Sequence, residues 1–155
     1  MILATHILTG TLVGAKIRNP FSIVAVSVIL HYLLDSIPHG EYLNRKSKFA
    51  KTWWKVTLDI FVGLLLSGII LFSKGWIFEK DMLGRIILAI LFSLLPDLTT
   101  LIFMMTKGKI LKSLYRLNQW AHGYTDDSAS PEFTFKNFRF EFAINLIALA
   151  LLIFF

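Results

Sequence analysis

Residues 21–42 read FSIVAVSVILHYLLDSIPHGEY: an apolar run that from its midpoint onward carries His31, Asp35 and His39, four residues apart. On a helix, residues four apart share a face, so His31 and Asp35 project to one side. Pro38 is predicted to end the helix and to let His39 swing outward, where solvent reaches it. Whether this greasy segment sits in a soluble core or in a bilayer decides the fold.

Composition answers for the bilayer. The chain has 155 residues, 55% of them hydrophobic and 14 of them Phe. About 45–50% apolar is usual for a soluble domain. The length suits a single domain over 1–155. Several windows approach the ~18–20 uncharged residues that read as a membrane helix. The expected architecture is all-α, an integral membrane bundle of about five segments: Ile2–Ala15, Phe21–Ile37, Val56–Ser73, Leu83–Met105 and Phe138–Phe155. The first reaches about 21 Å against a hydrocarbon core of about 30 Å, so it is either a short span or a helix buried among the others. Its Thr5, Thr9, Gly10, Thr11 and Gly14 form a small-residue surface suited to close helix contact. A polar section, Thr106–Lys136, precedes the last segment. Trp53-Trp54 and the stretch EFTFKNFRFEF (132–142) read as interfacial anchors, although the second also has the period-two Phe spacing of a short strand.

No cysteine is present, which leaves His, carboxylate and water as the ligands of any metal. The formal charge of +6 falls in loops between apolar runs, where Lys and Arg set membrane topology, so no nucleic-acid partner is expected. The start lacks a basic region and a small-residue cleavage site, so no cleaved signal peptide is expected. If all five segments cross, one face (side A) holds Lys16, Arg18, Lys74, Lys80 and Arg85, and the other (side B) holds the remaining eleven of the 16 basic residues. Side B is then cytoplasmic, in a bacterial inner membrane. The first segment, with Lys16 and Arg18 after it, taken alone prefers the opposite orientation.

Placed on that scheme, His6, His31, Asp35, His39, Asp59, Asp97 and His122 all lie toward side B. A charged Asp near a bilayer centre costs ~2.5–3.5 kcal/mol on insertion scales. No Lys or Arg lies within the apolar runs beside Asp35, Asp59 or Asp97. The missing countercharge is a proton or a metal cation. Imidazole and carboxylate are the ligands of catalytic zinc, and they also suit iron, manganese or nickel. His6, His31, Asp35 and Asp97 are the expected metal ligands, and His39 and His122 the expected acid/base groups or extra ligands. Plainer readings stand beside these: a hydrogen-bonded His31–Asp35 pair, a helix-end His6, surface positions for His39 and His122, and a kink-stabilising Asp97 after Pro96. Asp59 reads as a salt-bridge partner rather than a ligand, and Asp126-Asp127 as a solvated loop or helix cap.

The ordered motifs THILTG (5–10), ILHYLLDSIPHGEY (29–42), LLPDL (94–98) and NQWAHGY (118–124) resemble small bacterial membrane proteins described as membrane-bound metal-dependent hydrolases. That group is distantly similar to zinc-dependent phospholipase C and the P1-type nucleases, which are all-helical and bind zinc through His and Asp. The resemblance implies that His6 matches an early Thr-His, His31 and Asp35 a central pair, and Asp97 a Pro-Asp. This chain departs from the group's pattern in placing Pro96-Asp97 late and in having no His-Arg-Gly. The implied activity is hydrolysis of a phosphoester or phospholipid with a divalent metal, most simply zinc, and membrane lipid as partner. The alternatives are a small proton- or metal-ion transport protein, or a non-catalytic protein stapled by a structural metal.

Overall fold

The structure, a computed structural model, describes residues 3–37, 39, 49–106, 108–123 and 135–154. Among them the chain is all-helical: α1 (Leu3–Lys16), α2 (Pro20–Asp35), α3 (Phe49–Ser73), a 3-10 turn (Trp76–Phe78), α4 (Lys80–Met105), α5 (Lys112–Ala121) and α6 (Phe135–Phe154). The period-two phenylalanines from Phe135 onward therefore belong to a helix, not a strand. The polar section holds α5, a helix absent from the expected five. Asp126-Asp127 and the basic residues Arg45, Lys46 and Lys48 lie outside the described residues.

Local chemistry sets the helix starts. Asn19 caps α2, its side chain accepting the Ser22 amide at 3.1 Å, and Pro20 supplies the preset φ of a first helical residue. α1 is capped from another helix: the Asp59 carboxylate on α3 accepts the Leu3 amide at 2.6 Å and the Ala4 amide at 3.2 Å. Asp59 thus serves helix-terminus amides and their partial positive charge, a role the expected salt bridge did not include.

Side-chain pairs fix the helix directions. Asp59 meets the start of α1 and Thr11 Oγ1 meets Ser67 Oγ at 2.9 Å, so α1 and α3 run together. His6 lies against Asp35 and Asp97, whereas Val13 packs with Ile23 and Ala89, so α2 and α4 run the other way. Lys74 Nζ, just past α3, donates to the Ile153 carbonyl at the end of α6, which aligns α6 with α1 and α3. The five long helices alternate in direction, as consecutive crossings would.

Helix α1 is the axis. It touches α2, α3, α4 and α6, and ten of its residues, from Ala4 to Gly14, are buried. Its glycines make the close approaches. A Cβ on Gly14 would stand 2.5 Å from Ile86 Cα, and one on Gly10 3.0 Å from Ile90 Cα. Only a hydrogen fits there.

The burial pattern is inverted relative to a soluble domain. Thr5, His6, Thr11, Ser27, Asp35 and Ser67 are buried, while Phe61, Leu65, Phe72, Leu91 and Ile147 are exposed. Helix α3 over Trp53–Ser73 and α4 are long and apolar enough to cross a membrane. The expected membrane bundle of about five segments is met only to that extent: α1, with 14 residues, and α2, with 16, reach about 21 and 24 Å. α1 is the buried helix rather than a lipid-facing one.

Gly14→Ala is expected to destabilise the bundle by about 1–3 kcal/mol, the usual cost of overpacking. Gly68→Ala, with nothing within 4 Å of the added Cβ, is expected to leave stability unchanged or raise it slightly. Thermal unfolding followed by circular dichroism in detergent checks the pair. Equal melting temperatures would contradict the close-contact reading.

Candidate metal centre

Four helices deliver the site. α1 supplies His6 from its first turn, α2 supplies His31 and Asp35 from its last, α4 supplies Asp97 just after Pro96, and α5 ends on His122. His39 follows α2 by four residues. All six expected residues come together.

Asp35 is the hub. Its Oδ1 lies 3.1 Å from His6 Nε2, and its Oδ2 lies 3.0 Å from His31 Nε2 and 3.4 Å from His122 Nε2. Asp97 Oδ2 stands 3.9 Å from His6 Nε2. The His6 and His31 rings stack with centroids 4.2 Å apart, and the His39 and His122 rings meet edge-on at 5.2 Å. Two triads, His6–His31–Asp97 and Asp35–His39–His122, each bring one ligand atom per residue within 4.8 Å of the other two. Each can hold a metal ion.

The backbone decides which imidazole nitrogen faces inward. His31 Nδ1 is 2.8 Å from the Ser93 carbonyl, His39 Nδ1 2.7 Å from the Ile37 carbonyl, and His122 Nδ1 2.7 Å from the Asn118 carbonyl. A carbonyl only accepts, so each Nδ1 carries the hydrogen and donates it. In the neutral ring Nε2 then presents its lone pair. Metal-binding histidines are held this way, with the other N–H fixed on an outer acceptor. His6 differs: its buried Nδ1 has no hydrogen-bond partner, and it is placed instead by Ser93 Oγ, which donates to the His6 carbonyl at 2.9 Å.

A lone pair on His31 Nε2 facing a carboxylate at 3.0 Å is repulsive unless a cation intervenes. Protons can supply only part of that charge. Two stacked imidazolium ions 4.2 Å apart repel by about 4 kcal/mol at an effective dielectric near 20, which opposes charging both His6 and His31. Arg85 cannot help, since it is spent at the far end of α4 on Asp81 at 3.2 Å and the Ile17 carbonyl at 3.1 Å. A divalent ion answers two carboxylates at once. Donors on one tetrahedral zinc stand about 3.3 Å apart for bonds near 2.0 Å, and the 3.0–3.4 Å separations around Asp35 suit that arrangement.

One expectation needs correcting. His39 is 3% exposed; it turns inward past Pro38, because its Nδ1–H is drawn back to the Ile37 carbonyl. His122 is likewise no surface residue, its side chain being 5% exposed. Ser93 and Asn118, which position His31, His6 and His122, are groups that sequence reasoning passed over. Ser93 precedes Asp97 by four residues on α4, and that shared face was the one available signal.

No protein-family model matches the chain, and no curated protein or solved structure shows a significant match to it. The geometry carries the reading alone.

Asp35→Asn is expected to weaken zinc or cobalt binding by at least about 100-fold, since losing even an outer-shell partner costs 10–100-fold. Asp81→Asn, at the far end, is expected to bind as wild type. Affinity is expected to fall on acidification, because protons compete for the imidazole lone pairs. Titration calorimetry in detergent reads all three, and an unchanged affinity in Asp35→Asn would contradict the site.

Proposed function

We propose that the chain is a membrane-bound metal-dependent hydrolase of a phosphoester or lipid-like ester, with its centre on the cytoplasmic side of a bacterial inner membrane and zinc as its metal. The observation that carries this reading is the convergence on Asp35 of imidazoles whose Nδ1 atoms are committed to backbone carbonyls. The inverted burial pattern supports the membrane, and the excess of basic residues on side B supports the orientation.

His6, His31, Asp35 and Asp97 are assigned as metal ligands. A bound divalent cation supplies the positive charge that acidifies water and offsets charge developing on an ester oxygen. Asp97, with 26% of its side chain exposed against 0–1% for His6, His31 and Asp35, marks the side from which water and ester arrive. His39 and His122 are assigned the proton transfers: an Nε2 lone pair takes the proton of the attacking water, and the resulting imidazolium returns it to the departing oxygen. Trp53-Trp54 and Lys55, exposed at the start of α3, sit at the same end, where a phosphate headgroup lies. The apolar packing of Val13, Ile23 and Ala89 across the other half of the bundle speaks against a conducting path and so against transport.

The test is turnover of a phosphodiester, a phospholipid and a carboxylic ester by purified protein. Activity is expected on a phosphoester, abolished by chelation and restored by zinc. His122→Ala is expected to cut the rate by about 10²–10⁴-fold, the usual worth of a general acid–base group, while the protein still binds zinc. Metal-loaded wild type inert on all three substrates would contradict the proposal.

A further inference from the structure

Helix α5 is the part of the molecule that the hydrolase reading leaves unexplained. Its register is fixed at three points, two on α4 and one on α2. Tyr115 stacks on Phe103 with centroids 4.0 Å apart. Asn118 Nδ2 donates to Thr100 Oγ1 at 2.8 Å. His122 Nε2 then reaches Asp35. As the α5 numbers rise the α4 numbers fall, so α5 runs back along α4, returning about 15 Å over its ten residues. It descends to the level of the site instead of leading away from it.

The outer face of α5 carries an apolar stripe beside the exposed Lys112, Ser113 and Arg116. Leu114, Leu117 and Trp120 are 42%, 43% and 76% exposed. Its basic residues fall in its first half: Lys109 precedes the helix, Lys112 and Arg116 are its first and fifth residues, and residues 117–123 hold no Lys or Arg. At the deep end two of the terminal carbonyls are satisfied within the protein. The Asn118 carbonyl accepts from both the amide and Nδ1 of His122, and the Trp120 carbonyl accepts the Gly123 amide. Backbone at membrane depth must be satisfied within the protein.

We propose that α5 is a re-entrant helix whose Leu114–Leu117–Trp120 face is covered by the acyl chains of the bilayer, with Lys109, Lys112 and Arg116 at anionic headgroups. The proposal rests on the membrane location of the bundle and is independent of the metal and of catalysis. The register that carries this face to depth is the one that brings His122 Nε2 to Asp35.

The chain's lack of cysteine makes the test direct. Lys112→Cys and Trp120→Cys are placed singly in otherwise unaltered protein, in nanodiscs of phosphatidylcholine and phosphatidylglycerol that leave both faces open. A charged maleimide is expected to label position 112 at least about tenfold faster than position 120, because thiol reactivity follows access to water. The difference is expected to vanish in SDS. Equal rates in disc-bound protein would overturn the re-entrant helix and leave the membrane reading intact, whereas protein that separates from the discs would overturn both. Should Trp120→Cys not fold, a Trp53→Phe/Trp54→Phe/Trp76→Phe variant keeps Trp120 as its one tryptophan. Its fluorescence is expected to be quenched by lipid brominated at carbons 6 and 7 and spared by iodide, and the reverse would overturn the proposal.

Discussion

A buried carboxylate ringed by imidazoles in an apolar bundle is the constraint from which the rest follows. Asp35 is 2% exposed, and the groups around it are imidazoles from α1, α2 and α5. An uncompensated charge there would cost several kcal/mol. Everything close to Asp35 can be understood as supplying or admitting positive charge. The stacked His6–His31 pair limits how much of that charge protons can bring, and this limit is what favours a divalent ion over a purely protonated cluster.

The scaffold serves that arrangement by stiffness at one end and closeness along the axis. α1 is pressed onto α4 through Gly10 and Gly14, and Gly63 of α3 is pressed onto α1, so His6 has little freedom to drift from Asp35. Ser93 acts twice, its hydroxyl on the His6 carbonyl and its carbonyl on His31 Nδ1, which locks the two rings to one turn of α4. Pro96 lies in the next turn. Its missing amide frees the Phe92 carbonyl and loosens the ladder where Ser93 accepts His31 from outside the helix. At the opposite end Val13, Ile23 and Ala89 close the bundle with apolar packing. The His/Asp cluster thus lies at one end, and the outer surfaces of α3 and α4 expose large apolar side chains.

Much of this was legible in the residues. Apolar segments broken by short basic loops implied alternating helices, and alternation alone brings His6, the end of α2 and Asp97 to one face. The four-residue spacing of His31 and Asp35 gave their shared side. The hidden parts depend on contacts between distant segments. Nothing near Asp59 in sequence says that its carboxylate caps α1. The helical period of α5 is visible in Leu114, Leu117 and Trp120, but its setting among Lys112, Arg116 and a long polar stretch reads as loop. The inward turn of His39 goes with a hydrogen bond from its Nδ1 to the Ile37 carbonyl, a local choice that proline chemistry does not determine.

The central claim is that imidazole nitrogen and carboxylate oxygen around Asp35 hold a metal. X-ray absorption at the metal edge of protein purified from membranes measures this without assuming an activity. The account predicts zinc or a similar divalent ion bound by nitrogen and oxygen at about 2.0–2.1 Å, with the outer-shell scattering of at least two imidazoles, lost in His31→Ala. Protein that retains no metal, and takes none up when zinc is supplied, would contradict it.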